Sequence, residues 1–344
     1  MSNAPETPDD VFDGVERAID LIASGDVRAA ASEYRRLVAR APRAPEVIVL
    51  EGMLALQDGA FEEAVRAFEK AASLDPTYSL PLILAAETYL MDLDDAARCL
   101  EFCGLAARVA GSDDERAQVL LLEADAWSTR DQDAEVRKRI ARLAKLDLTD
   151  PMLCQRAGDL ALDYEDLCRA REWFTKVTQI DPTCADAWHG LGIVCEAQGD
   201  RERMVEAWLK TLALDGSRQP PPWHMSRDAF ERAVEDALVG LPVAIRDKLA
   251  DVAVLVEDAP DEGLVRNGVD PRLLGLFSGT PTTARGMLDA MPDDADTIRL
   301  FQRNIEASVE DGDQLLREIR ITLIHETAHY FGLEDADLEG MGLG

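Results

Sequence analysis

The chain has 344 residues, 47% hydrophobic and 30% charged, enough apolar material for buried cores at a length that points to two domains. Asp and Glu number 67 against 36 Lys and Arg, a formal charge of −31, which argues against the basic surface that nucleic acid or an anionic membrane requires. No run approaches the ~18 apolar residues of a membrane span, and the opening MSNAPETPDD lacks the features of a signal peptide.

Residues 1–10 are expected to be disordered. A repeat of 34 residues then runs from about 11 to 215 in six copies, aligned on Ala18, Gly52, Ala86, Ala124, Gly158 and Gly192, with GSDD at 111–114 lengthening one interval to 38. Twelve positions after the alignment point stands a small residue (Ala30, Ala64, Ala170), and sixteen after it an aromatic (Tyr34, Phe68, Phe102, Phe174, Trp208). A proline follows at twenty-four (Pro42, Pro76, Pro182). Small residues let antiparallel helices approach, the aromatic is expected to fill the gap between neighbouring hairpins, and proline ends the second helix. Copies three and four are degenerate, with Arg98 and Val136 at the small position. Trp127, Trp173, Trp188 and Trp208 read as packing residues. The six cysteines all lie between Cys99 and Cys195 without a CxxC pair, which fits small residues packed between helices in a reducing cytoplasm.

These copies resemble a tetratricopeptide-repeat array. The resemblance implies an all-α solenoid of helical hairpins whose concave face binds a protein or peptide partner.

Residues 216–225, GSRQPPPWHM, break the pattern and read as a stiff, Pro-rich linker, with His224 facing solvent and His189 left behind in a repeat helix. The remaining segment, 226–344, reads as a small α+β domain. Ser226 is placed to cap a helix running to about Gly240, and a short helix follows over 242–249. VAVLVED at 252–258 reads as a buried strand and TIRLF at 297–301 as another. From Asp313 to Phe331 a long helix carries Leu315, Leu316, Ile319, Leu323 and Ile324 at helical spacing, with Gly332 as its stop.

The chemistry sits on that last helix. It ends in His325-Glu326-Thr327-Ala328-His329, an HExxH motif in a chain with only four histidines. Two histidines four apart share a helix face, so both imidazoles can reach one Zn²⁺ at about 2.0–2.1 Å. Glu326 beside them is suited to take a proton from zinc-bound water and pass it to a leaving amine. Gly332 turns the chain back, and Asp335 completes HExxHxxGxxD as a third ligand, leaving a fourth position open for water. Glu334 and Glu339 are adjacent alternatives, and Asp337 can instead cap the final turn. Met341 reads as packing. Arg285 and Arg299 can bind a substrate carboxylate or an oxyanion, or form structural ion pairs.

The segments LLGLFSGTPTTARG (273–286), DTIRLFQ (296–302) and HETAHYFGLEDADLEGMG (325–342) resemble the small zincin-like metallopeptidases of bacteria, the minimal zincins, over roughly 226–342. The resemblance implies His325, His329 and Asp335 as zinc ligands and Glu326 as general base, with the strand at 297–301 beside the cleft pairing with an extended peptide substrate. Two readings of function follow. In one, the protein is a zinc metallopeptidase whose repeat array recruits a protein or peptide to the cleft. In the other, the array is a scaffold or adaptor and the zinc-binding tail is catalytically weak or structural.

Overall fold

The computed structural model describes residues 8–250, 252–279 and 296–333. They form two compact units, Met1–Asp181 and Pro182–Gly344.

The first unit is a stack of helical hairpins. α1 (Pro8–Ala23) pairs with α2 (Val27–Val38), α3 (Pro45–Gln57) with α4 (Phe61–Leu74), and α5 (Ser79–Met91) with α6 (Ala96–Val109). α7 (Asp113–Ser128) pairs with α8 (Asp133–Leu143), and α9 (Pro151–Asp163) with α10 (Leu167–Ile180). Helix α1 already begins at Pro8, where a proline costs nothing because the first-turn N–H groups have no helical partner, so the disorder expected for 1–10 does not extend to 8–10. Residues 1–7 lie outside the described residues.

The small positions behave as expected: Ala30, Ala64 and Ala170 are fully buried. Three of the aromatics are placed differently from the expectation. Phe68, Phe174 and Trp208 lie over the alignment glycine of their own hairpin, so that a Cβ on Gly52 would stand 2.4 Å from Phe68 and one on Gly158 would stand 2.6 Å from Phe174. The third copy is displaced in register. In the other copies the second helix is capped eight residues after the alignment point (Asp26, Ala60, Gln132, Asp166, Asp200), whereas here Asp95 stands nine after Ala86. The extra turn residue moves Arg98 off the helix contact and puts the fully buried Cys99 in the small slot. Val136 fills that slot in copy four, also fully buried. Cys99 and Cys103 are both buried with sulfurs 3.9 Å apart, and that hydrogen bond together with burial pushes the Cys103 thiol up, which leaves it inert. Trp173 and Trp208 are buried, while Trp127 and Trp188 are half-buried.

The second unit begins with the sixth hairpin, α11 (Ala185–Ala197) and α12 (Arg201–Ser217). It continues through α13 (Arg227–Val239), α14 (Val243–Arg246), β1 (Ala253–Glu257), α15 (Glu262–Arg266), β2 (Gly275–Ser278), β3 (Thr297–Phe301), α16 (Gln302–Ala307) and α17 (Gly312–Tyr330). The division between units therefore falls one hairpin before the 216–225 boundary read from the sequence. The reason is packing: Val265 of α15 is fully buried against Met204 and Trp208 of α12, and His189 binds Asp270 at 2.9 Å. Arg272 reaches Asp186 at 2.7 Å and Asp215 at 2.8 Å.

The segment 216–225 is not a free linker. Glu306, only 2% exposed, accepts from the Met225 N–H at 3.1 Å and from Gln302 at 2.9 Å, and pairs with His224 Nδ1 at 2.7 Å, while Trp223 Nε1 donates to the Glu306 carbonyl at 2.8 Å. His224 is exposed, as read from the sequence, yet its ring is fixed by this buried carboxylate.

Ser226 caps α13 by accepting from Ala229 N. The three strands form a mixed sheet in the order β1-β3-β2, with β1 parallel and β2 antiparallel to β3. Among the described residues β1, read as a buried strand, is paired on one side only, and the face that carries Leu255 is open to solvent, with Leu255 44% exposed. On α17, Leu315, Ile319 and Leu323 are fully buried against Ile298 and Leu300 of β3, whereas Leu316 falls on the solvent side. That stripe sets the helix on the sheet and so positions its C-terminal turns. Among the described residues, no helix is long and apolar enough to cross a membrane.

Candidate metal centre

The end of α17 is built by a Schellman turn. Gly332, at φ +78°, adopts the left-handed conformation, its N–H donates to His329 O at 2.9 Å, and the Leu333 N–H donates to Ala328 O at 3.1 Å. This turn brings the Leu333 carbonyl back to His329 Nδ1 at 3.1 Å. A carbonyl only accepts, so Nδ1 carries the proton, which fixes the tautomer of the ring.

His325 lies one turn earlier on the same face, its ring centroid 4.7 Å from that of His329 and the planes 77° apart. Both rings are half-buried, and Glu326 is buried at 6% exposure. Glu326 Oε2 accepts from the Phe277 N–H of β2 at 2.7 Å. Gly275, two residues earlier, makes room for it: a Cβ there would stand 2.7 Å from Glu326 Cγ, 2.9 Å from its Oε1 and 2.9 Å from Thr322 Cγ2. Tyr330 turns away into the core, donating to Lys248 O at 3.1 Å and meeting Phe277 edge-on at 5.7 Å.

The described residues thus bring His325, Glu326 and His329 together, and no group of three or more His, Cys, Asp or Glu placed to hold a metal occurs among them. Asp335, with Glu334, Asp337, Glu339, Met341 and Arg285, lies outside the described residues. Arg299 is in an ion pair with Glu257 at 3.3 Å and donates to Ser278 Oγ at 3.0 Å, the structural alternative of the two roles considered for it.

The strand at 297–301 does not have an open side for a peptide. β3 is central, and both of its edges are already paired. Among the described residues, 275–278 form the edge strand next to Glu326, a strand that hydropathy alone did not single out because its four residues include a glycine and a serine. The Phe301 N–H donates to Leu274 O at 2.8 Å, so by antiparallel alternation the N–H and C=O groups of Gly275 and Phe277 point away from β3. Sequence reasoning also missed Gly275 and Phe277 as neighbours of Glu326.

Residues 249–343 match the zincin-like metallopeptidase family, and residues 15–79 match the tetratricopeptide repeat. The chain carries a zincin-like metallopeptidase domain. Comparison with curated proteins gives no match. Among solved structures, PilF of Pseudomonas aeruginosa is 13% identical, with 61% of this chain and 94% of that one covered at a TM-score of 0.49. The type IV pilus biogenesis factor PilW is also 13% identical, with 62% and 97% covered at 0.49. YrrB, described as a tetratricopeptide-repeat protein with an unusual peptide-binding site, is 17% identical, with 54% and 93% covered at 0.39.

Proposed function

We propose that the protein is a zinc-dependent metallopeptidase whose repeat array recruits a protein or peptide. The observation that carries this reading is the pairing of two imidazoles on one helix face with a buried carboxylate held at a strand edge. The donor set suits zinc: two imidazoles stand one helical turn apart, and His329 is oriented by its Nδ1 bond to Leu333 O. Asp335 is the proposed third ligand. Zn²⁺ bound there would lower the pKa of a coordinated water towards about 7 and polarise the scissile carbonyl.

The chain's own groups do the rest. Glu326 takes a proton from the attacking water and delivers it to the leaving nitrogen. Burial and the Phe277 N–H hold its carboxylate in one orientation. An extended peptide laid along β2 meets the outward N–H and C=O of Gly275 and the C=O of Phe277, and it competes with Glu326 for the Phe277 N–H. The cysteine usage favours a cytoplasmic setting.

That same bond supports a second reading, in which Glu326 stays tied to β2 and the tail serves a scaffold with little catalysis. Zinc content and cleavage of a peptide library by wild type and Glu326→Gln separate the two. One zinc in each with cleavage by the wild type alone supports the peptidase; zinc in both without cleavage supports the scaffold.

A further inference from the structure

The second unit contains a cavity of about 880 Å³ whose lining includes no residue of α17 and which is therefore distinct from the HETAH motif. It is bounded by the end of α12, the docked 218–227 segment and α16. Its size falls in the range of small-ligand sites, about 300–1,000 Å³.

Its charges nearly cancel. Asp186 and Asp215 are matched by Arg272 and Arg218, Asp258 by Arg227 at 2.5 Å, and Glu306 faces His224. Arg303 is left over. Its backbone N–H donates to Asp258 O, but among the described residues its guanidinium has no carboxylate or hydrogen-bond partner, although the chain carries a net charge of −31. It lies against α12, where a Cβ on Gly216 would stand 3.3 Å from its Nη1. In the same wall, Arg227 Nη1 is buried and also lacks an acceptor. Pro221, Trp223 and Leu274 add an apolar flank.

We propose that this cavity binds the terminal carboxylate of a peptide whose last residue is apolar. One uncompensated, planar guanidinium matches a monoanionic carboxylate, whereas a dianion such as phosphate would keep half of its charge unbalanced. The site is independent of the hydrolytic reading.

Calorimetry on the full chain with N-acetyl-Ala-Phe, its C-terminal amide and inorganic phosphate tests this. The expected result is saturable binding of the acid, at least tenfold weaker binding of the amide, and none of phosphate. Arg303→Gln should weaken the acid at least tenfold with an unchanged melting curve, and Arg303→Lys should recover part of the loss. Binding by His329→Ala should match wild type. Equal affinity for acid and amide, no binding of either, preference for phosphate, or an unaffected Arg303→Gln would each overturn the proposal. Loss of binding in His329→Ala would also overturn it, by moving the site to the zinc cleft.

Discussion

The carboxylate of Glu326 accepts a 2.7 Å hydrogen bond from the backbone N–H of Phe277, joining the HETAH helix to the outward edge of β2. The proposed base and the proposed peptide-binding edge are thereby one structural element. Glu326→Gln keeps the side-chain shape and an acceptor for Phe277 but cannot take a proton. It should retain one zinc per chain and lower kcat by about 10²–10⁴-fold, measured with any peptide the wild type cleaves. Retained hydrolysis would remove Glu326 from the mechanism.

Gly275 sets how closely that edge approaches. Alanine there would bring a Cβ to 2.7 Å from Glu326 Cγ, so the carboxylate or the strand must shift. Gly275→Ala should bind zinc normally yet lose activity, up to about 10²-fold for a displacement near 1 Å. Metal content and kcat measured on one preparation check it, and unchanged kcat would show that the edge yields freely.

His329 is oriented by the Leu333 carbonyl, which the Gly332 turn delivers. His329→Ala and Asp335→Ala should each lower zinc affinity, and Gly332→Val, which strains the left-handed turn, should lower it by about 10–100-fold as an outer-sphere defect. Competition with a chelator of known affinity gives the values. Full zinc retention in Asp335→Ala would reassign the third ligand to a neighbouring acid.

Acid should loosen the contact between the sixth hairpin and the strand domain. Burial raises the Asp270 carboxyl, but the hydrogen bonds and charges of His189 and Arg272 together outweigh it and hold the group below the ordinary range. Asp186 behaves likewise, with burial outweighed by Arg272 and Arg218 together. The folded state therefore binds these protons more weakly than the unfolded chain, whose carboxyls titrate near about pH 3.9. Their stabilisation is complete above that pH and is lost as pH falls below it through the folded values. Melting of the full chain between pH 6 and 3 should show a smaller acid-induced fall for Asp270→Asn than for wild type, and parallel curves would refute the assignment.

Trp208 stacks over Gly192 so closely that a Cβ would stand 2.0 Å from its Cδ1 and Nε1. Gly192→Ala should cost about 1–3 kcal/mol by overpacking, although alanine is the better helix former by about 1 kcal/mol. Denaturant unfolding measures the sign. A stabilised variant would mean that the indole can move aside.

The 34-residue period, its small and aromatic positions and the HETAH motif on a terminal helix were all legible in the sequence, because each depends on residues a few helical turns apart. Leu315, Ile319 and Leu323 recur at helical spacing whatever they pack against, and His325 and His329 share a face on any regular helix. Tertiary structure decided the rest. Strand order is a long-range pairing that a five-residue pattern does not encode, so TIRLF turned out central and GLFS became the edge beside Glu326. A single added turn residue put Cys99 rather than Arg98 in the small slot, and side-chain pairs 57 to 86 residues apart drew the sixth hairpin onto the strand domain. The local code specified which elements form; contacts distant in the chain determined which of their faces meet.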